Sequence, residues 1–327
     1  MKKTKKILIT GGLGFIGTNL LRRLLKNSNY SFIILDKITS AGRLENLPRE
    51  GEYKKRVSFI KGDVASKKAV HEAMREASVV VHLAADTHTA SSLKKQAQFI
   101  KSNVIGTSRL LEASSKYDIE HFIYISSSEV YGNQKEGIEM NEEHPLVPVS
   151  PYAVTKLAAD RLVYSYYLTQ QLPVVILRPF NTYGPYQYIE KMIPLFITRL
   201  MRNLPIILHH GGRQTRDWLF VDDHVSAIER ALNVPLGMTK GEIFNIGTGK
   251  NTSTKEVAFL ILDMLNKNKK LIRIEESSLP GTMGNVGISK KATKVLGWKH
   301  LMSIEDGIER TVKWYKKNRK WWDRFIK

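Results

Sequence analysis

The chain has 327 residues, 42% of them hydrophobic and 25% charged, the composition of an ordinary globular protein with length for about two domains. It contains no cysteine, which excludes disulfide scaffolds, thiolate metal sites and cysteine nucleophiles. Against 31 Asp+Glu stand 51 Lys+Arg, a formal net charge of +20, but the basic residues are spread along the chain, so a solvated Lys-rich surface is expected and no nucleic-acid partner.

The basic N-terminus followed by an apolar run imitates a secretory leader, but glycines interrupt the run and no small-residue cleavage site follows. No stretch reaches the ~18 apolar residues of a membrane span, so no membrane partner and a cytoplasmic address are expected. Short β-branched runs at Lys6–Thr10, Ser31–Leu35, Val57–Ile60, Ser78–Leu83, His121–Ser126 and Pro173–Leu177 alternate with amphipathic stretches such as Thr18–Leu25, Lys67–Arg75 and Phe99–Tyr117. Such alternation predicts an α/β, Rossmann-like doubly wound parallel sheet built from right-handed crossovers. After Pro179 the rhythm becomes turn-rich and predicts a smaller C-terminal substrate-binding lobe. Within it, Trp218–Leu232 and Glu242–Ile246 read as a helix and strand that return to the first sheet. The expected division is residues 1–180, with 215–247 returning to them, against 181–214 and 248–327. Trp314–Lys327, aromatic and basic together, is read as a packed terminal helix in preference to an anionic-surface anchor.

Directly after the first predicted strand comes Gly11-Gly12-Leu13-Gly14-Phe15-Ile16-Gly17, opening a helix. Glycines there permit a tight turn and close approach of a pyrophosphate to a helix N-terminus. Asp36 follows at the end of the second strand, about 20 residues on, where a carboxylate binds ribose hydroxyls and repels the extra phosphate of NADP. The expected cofactor is therefore NAD, with the neighbouring Lys37 as the one contrary charge. Asp63-Val64 and Ala84-Ala85, at the ends of the third and fourth strands, are placed to bracket it.

Tyr152 and Lys156 open a helix after Ser150-Pro151 and share one face, so the ammonium is expected to lower the phenol pKa and make Tyr152 a base for an alcohol proton. Ser126-Ser127-Ser128-Glu129 ends the fifth strand, on the edge where open α/β sheets bind ligands. Alcohol oxidation needs only the tyrosine and a hydroxyl such as that of Ser127. Glu129 adds a carboxylate able to remove a proton acidified by a neighbouring ketone, which points to elimination or decarboxylation. Metal catalysis is not expected: His209-His210 is the one adjacent histidine pair, and its setting reads as a turn.

These segments resemble the extended short-chain dehydrogenase/reductase family of nucleotide-sugar epimerases and dehydratases, over essentially the whole chain. The nearest resemblance is to dTDP-glucose 4,6-dehydratases. It is carried by TGGLGFIG, by DKITSAGRLENL from Asp36, HLAADTH from His82, SSSEVYG from Ser126, SPYAVTK from Ser150, NTYGPYQYIEKMIPLFI from Asn181 and RDWLFVDDH from Arg216. By that resemblance the cofactor set is Gly11, Gly14, Phe15, Ile16, Gly17, Asp36, Lys37, Thr39, Gly42, Asp63, Val64, Leu83, Ala84, Ala85, Thr87, Ser102, Tyr152 and Lys156. The catalytic set is Ser127, Ser128, Glu129, Tyr152 and Lys156, and the substrate set Thr87, His88, Ser127, Asn181, Lys191, Met192, His209, Arg216 and Asn251. The resemblance implies C4 oxidation by Tyr152, removal of the C5 proton by Glu129, loss of water from C6 and return of hydride to C6. It also implies that Asn181, Lys191 and Arg216 hold the substrate's diphosphate, and that a four-helix bundle forms a homodimer.

The chain departs from the dehydratase pattern at three places. Ser128 stands where the general-acid Asp is found, as in UDP-glucuronate decarboxylases. Ala90-Ser91 replaces an Asp-Arg pair. The charged substrate loop is here Leu279–Asn285, and His209 stands for a base-stacking Tyr. The expected substrate is dTDP-glucose or a UDP-hexose such as UDP-N-acetylglucosamine; the alternatives are a C4 epimerase, a UDP-glucuronate decarboxylase and, more distantly, a non-catalytic dinucleotide-binding regulator.

Overall fold

The structure is a computed structural model that describes residues 5–48, 53–133, 138–276, 284 and 286–326. Five strands of the first half, β1 (Lys6–Thr10), β2 (Ser31–Asp36), β3 (Val57–Lys61), β4 (Val79–His82) and β5 (His121–Ile125), join Val174–Pro179 and Ile243–Ile246 in one parallel sheet. Across the sheet the order is Ile243–Ile246, Val174–Pro179, β5, β4, β1, β2, β3. The chain runs outward from β1 to β3 and then crosses back to β4, which opens a crevice between β1 and β4.

Strand periodicity decides what covers each face. Ile7 and Ile9, Phe32 and Ile34, Val79 and Val81 point to one side, where α1 (Phe15–Asn27) and the helix Val221–Asn233 pack. Leu8, Ile33, Val80, Phe122 and Val174 point to the other, under the helices Lys67–Met74, Gly106–Lys116 and Pro151–Gln170. The first of these cores runs on without a break into the part of the chain after Pro179, through Ile193, Ile197, Leu208, Val257, Ile261 and Trp298.

Two elements differ from expectation, and the C-terminal segment packs as expected. Phe99–Tyr117 is not one uniform helix: Gln96–Phe99 leads through a π-helical turn, Ile100–Ile105, into Gly106–Lys116. Trp218–Phe220 is a short strand that pairs with Asn181–Tyr183 outside the central sheet, while the following helix and Ile243–Ile246 do pack onto that sheet. The C-terminal aromatics face inward, with Trp322 fully buried and Trp314, Trp321, Phe325 and Tyr186 stacked on one another, so little apolar surface is left there for an anchor. Among the described residues no helix is long and apolar enough to cross a membrane. The loop Leu279–Asn285 lies, apart from Gly284, outside the described residues.

Candidate active site

A cleft of about 450 Å³ opens at the crevice, lined by Gly11, Gly14, Phe15, Ile16, Gly17, Asp36, Lys37, Thr39, Gly42, Asp63, Val64, Leu83, Ala84, Ala85, Thr87, His88, Ser102 and Lys191, among others. Two glycines are sterically required. A Cβ on Gly11, at φ +69°, would lie 2.8 Å from the Ala84 backbone, and one on Gly17 would lie 2.4 Å from the Gly11 carbonyl. α1 starts at Gly14 with no side-chain cap and no acidic residue in its first turn, so its free N–H groups and dipole face the cleft as an anion site. Asp36, buried, accepts from Leu13 N at 3.1 Å and Ile38 N at 2.9 Å; burial raises its pKa. Lys37 lies 3.5 Å from Asp86, 3.9 Å from Asp63 and 3.4 Å from Ser102 Oγ, so its charge is compensated by carboxylates. This cradle has the shape and polarity for a dinucleotide with free ribose hydroxyls.

At the C-terminal end of β5 the turn Ser128–Tyr131 presents Glu129. Ser127 caps that turn, its Oγ accepting from Glu129 N at 3.2 Å, and its hydroxyl also bonds the Tyr152 phenol. Ser128 is buried. Burial raises the Glu129 pKa, while the charges of Arg216 and Lys191 oppose that rise. Tyr152 enters from the helix Pro151–Gln170, which begins cleanly because Ser150 accepts from Ala153 N at 3.1 Å and Pro151 occupies its first turn.

The expectation for the Tyr152–Lys156 pair needs correction. Burial pushes the phenol up to about 12, with the Ser127 hydroxyl opposing it. Lys156 Nζ donates to the Ile125 carbonyl at 2.6 Å and sits 4.5 Å from the Tyr124 ring centre. Desolvation brings that ammonium down to about 7.

Of the substrate set, Thr87 and His88 stand on the β4 side of the cleft and Lys191 on the lobe side; Lys191 Nζ donates to Thr87 O at 3.0 Å, across the gap. His88 Nδ1 accepts from Ser91 N at 3.2 Å, which leaves Nε2 3.9 Å from Glu190. Asn181 pairs in register with Trp218, and Arg216 with Thr252, next to Asn251. Met192 starts the helix Met192–Met201. His209 is exposed at the end of the strand Ile206–His209 and is not part of the cleft lining.

Sequence reasoning missed three groups. Asn103 holds the backbone of Asp86 from both sides (2.8 and 3.0 Å) and donates to Thr155 at 3.0 Å. Asp217 accepts from Thr248, Gly249 and Gly287 and so ties the lobe loops beside Arg216. Arg178 forms a buried pair with Asp160. The available signal was a charged residue inside an apolar strand run, Val174–Pro179.

Residues 7–247 match the NAD dependent epimerase/dehydratase family. The chain is 36% identical to the dTDP-glucose 4,6-dehydratase of Streptomyces niveus, over 97% of this chain and 95% of that one. Among solved structures it resembles the dTDP-glucose 4,6-dehydratase DesIV of Streptomyces venezuelae, crystallised with NAD, at 34% identity and TM-score 0.91 over 98% of this chain and 99% of that one. It also resembles the UDP-glucose 4-epimerase of Thermotoga maritima, at 28% identity and TM-score 0.89 over 96% and 99%. The chain belongs to the NAD dependent epimerase/dehydratase family, with NAD as its cofactor.

Proposed function

We propose that this chain is a nucleotide-sugar 4,6-dehydratase acting on dTDP-glucose or a UDP-hexose such as UDP-N-acetylglucosamine. The observation that carries the reading is Glu129: a half-buried carboxylate on the turn whose preceding residue, Ser127, bonds Tyr152. The epimerase shares the fold, so shape alone does not choose the reaction, whereas a base beside the oxidation pair supports elimination.

In this reading Tyr152 takes the C4 hydroxyl proton, helped by the Ser127 hydroxyl, which favours the phenolate. Bound NAD would supply the acceptor for the C4 hydride and its donor to C6. Glu129 removes the C5 proton that the C4 ketone has made acidic. Ser128 has no acidic proton to give, so the proton that Glu129 has just taken is the one delivered to the departing C6 hydroxyl; burial, which favours the neutral carboxyl, supports that second role. Solvent then supplies the proton returned to C5, and Tyr152 gives the proton it took from C4 back to solvent, which resets the base. Gly11, Gly14 and Gly17 cradle the pyrophosphate of NAD, Asp36 binds its adenosine ribose and Lys156 its nicotinamide ribose. Asn181, Lys191 and Arg216 bind the substrate's diphosphate.

We further take residues 1–180 with the 215–247 return as the dinucleotide part and the remainder as the substrate lobe. A second copy of the chain covers the apolar face around Ile100 and Val154, and the address is cytoplasmic. Mass spectrometry of products formed with NAD from dTDP-glucose, UDP-N-acetylglucosamine and UDP-glucuronate tests the reaction. Loss of water from a hexose is expected. Loss of carbon dioxide would instead make the Ser128-Glu129 pair that of a decarboxylase, and an isomer of unchanged mass an epimerase.

A further inference from the structure

Arg178 is 1% exposed and uses its whole fork. Its Nε and Nη2 each donate to Asp160 at 3.0 Å, and its Nη1 donates to Tyr131 OH at 2.9 Å and to Glu142 O at 3.4 Å. Tyr131 in turn donates to Asn245 Oδ1 at 2.7 Å, and the Asn245 amide donates to Met140 O at 3.0 Å. Both ends of this network reach catalytic carriers. Asp160 lies on the helix Pro151–Gln170 one turn beyond Lys156, and Tyr131 closes the turn Ser128–Tyr131 that presents Glu129. A buried ion pair of this kind adds little net stability over an apolar pair of the same volume, because desolvating two charges offsets their attraction. Stability alone therefore does not account for a guanidinium placed between two catalytic elements.

We infer that Arg178 is a positioning residue with two arms: through Tyr131 it sets the turn that carries Glu129, and through Asp160 it sets the helix that carries Tyr152 and Lys156. The inference rests on the dehydratase reading of the site. The arms serve different steps. Tyr131 bears on proton removal from C5, Asp160 on oxidation at C4. Asp160, which also pairs with Arg161, is the carboxylate whose charge favours the Lys156 ammonium against burial; from the sheet, Lys156 faces the neutral Ile125 carbonyl, the Tyr124 ring and His82, whose imidazole burial and the Lys156 charge keep neutral.

Three variants separate the arms. Tyr131→Phe is expected to slow solvent-deuterium incorporation at C5 and water loss by about 10–100-fold. It should leave KM and the rapid reduction of bound NAD by substrate near those of the parent. Asp160→Asn is expected to shift the Lys156 titration of the cofactor-free protein below about 7, read from 13Cε-lysine NMR with the resonance assigned by Lys156→Arg, and to weaken NAD reduction in parallel. Since Asp160→Asn leaves the Arg178 guanidinium without its counter-charge and can impair folding, Asp160→Leu/Arg178→Leu provides an apolar control that removes both charges, and it should show the same weakened NAD reduction with a smaller shift of the Lys156 titration. A double variant with parental Lys156 titration and parental rates would make the pair merely structural and overturn the inference. So would a Tyr131→Phe protein that slows oxidation as much as elimination. If the parent turns over no nucleotide sugar, the dehydratase reading fails, but the Lys156 titration in the cofactor-free variants still decides the Asp160 arm.

Discussion

A phenol held near 12 by burial is a poor base until something stabilises its anion, and on this chain the Ser127 hydroxyl is placed to do so. Tyr152→Phe removes the phenol that takes the C4 proton in the proposed reaction and is expected to lower kcat by about 100-fold or more while NAD still binds, measured by equilibrium titration. Glu129→Gln keeps the shape of the turn and removes the carboxylate. It is expected to reduce NAD with substrate in a single turnover and then stall, with no deuterium entering C5. Lys156 carries a separate prediction. Its folded pKa lies near 7 against 10.5 when unperturbed, so below pH 7 both folded and unfolded chains hold the proton and the folded one bears the burial penalty. Between 7 and 10.5 the unfolded chain binds the extra proton, and stability rises with pH. Lys156→Met should therefore stabilise the cofactor-free protein at pH 6.5 by roughly 2–4 kcal/mol, and the gain should fade as pH approaches 10. A constant difference across that range would deny the buried cation. Tyr152 and Lys156 were legible in the sequence because a spacing of four residues puts both on one face of a helix. The Arg178–Asp160 pair was not, because only tertiary packing brings a strand residue to that helix face.

Among the elements, the strands were legible to within a residue or two, since β-branched runs bounded by polar residues leave little choice in a sheet covered on both faces. The π-helical turn Ile100–Ile105 was not. Its hydrogen-bond pattern answers a distant constraint: a Cβ on Gly106 would lie 2.5 Å from Val64, so the helix presses onto the loop after β3 and widens ahead of that contact. The widened turn brings Ser102 to the cleft wall and turns Asn103 toward the loop after β4. Asn103 thereby fixes Asp86, next to Thr87, and Thr155, whose hydroxyl donates to Tyr152 O at 2.8 Å. Asn103→Leu leaves the half-buried N–H and C=O of Asp86 without this partner. The expected cost is about 2–4 kcal/mol in urea unfolding, with a rise in both the Kd for NAD and the KM for substrate. Unchanged NAD affinity in a folded variant would mean that the loop after β4 keeps its place without this clasp.

At the scale of the molecule, the lobe after Pro179 was readable only as turn-rich, because its short strands pair with partners far along the chain, such as Arg216 with Thr252 and Ile206 with Ile272. What the sequence did carry was apolar residues on more than one face of the helices around 99–117 and 152–170. In the monomer that excess stays in water: Ile100, Ile105, Val149 and Val154 are 48%, 43%, 54% and 50% exposed, and Ile100, Val149 and Val154 border one groove. Covering such a face with its own symmetry mate matches like to like about a two-fold axis, and at ~25 cal/mol per Å² an interface of roughly 1,200–2,000 Å² suffices for a stable pair. Sedimentation velocity at micromolar concentration is therefore expected to give a dimer, and Ile100→Glu/Val154→Arg a monomer with unchanged circular dichroism. The groove also touches Ser150, Pro151 and Thr155, the first turns of the helix that bears Tyr152. Dissociation should accordingly lower kcat more than it raises the Kd for NAD. A parent protein that sediments as a monomer, or a monomeric variant with full kcat, would show that this face neither pairs the chains nor steadies the catalytic helix.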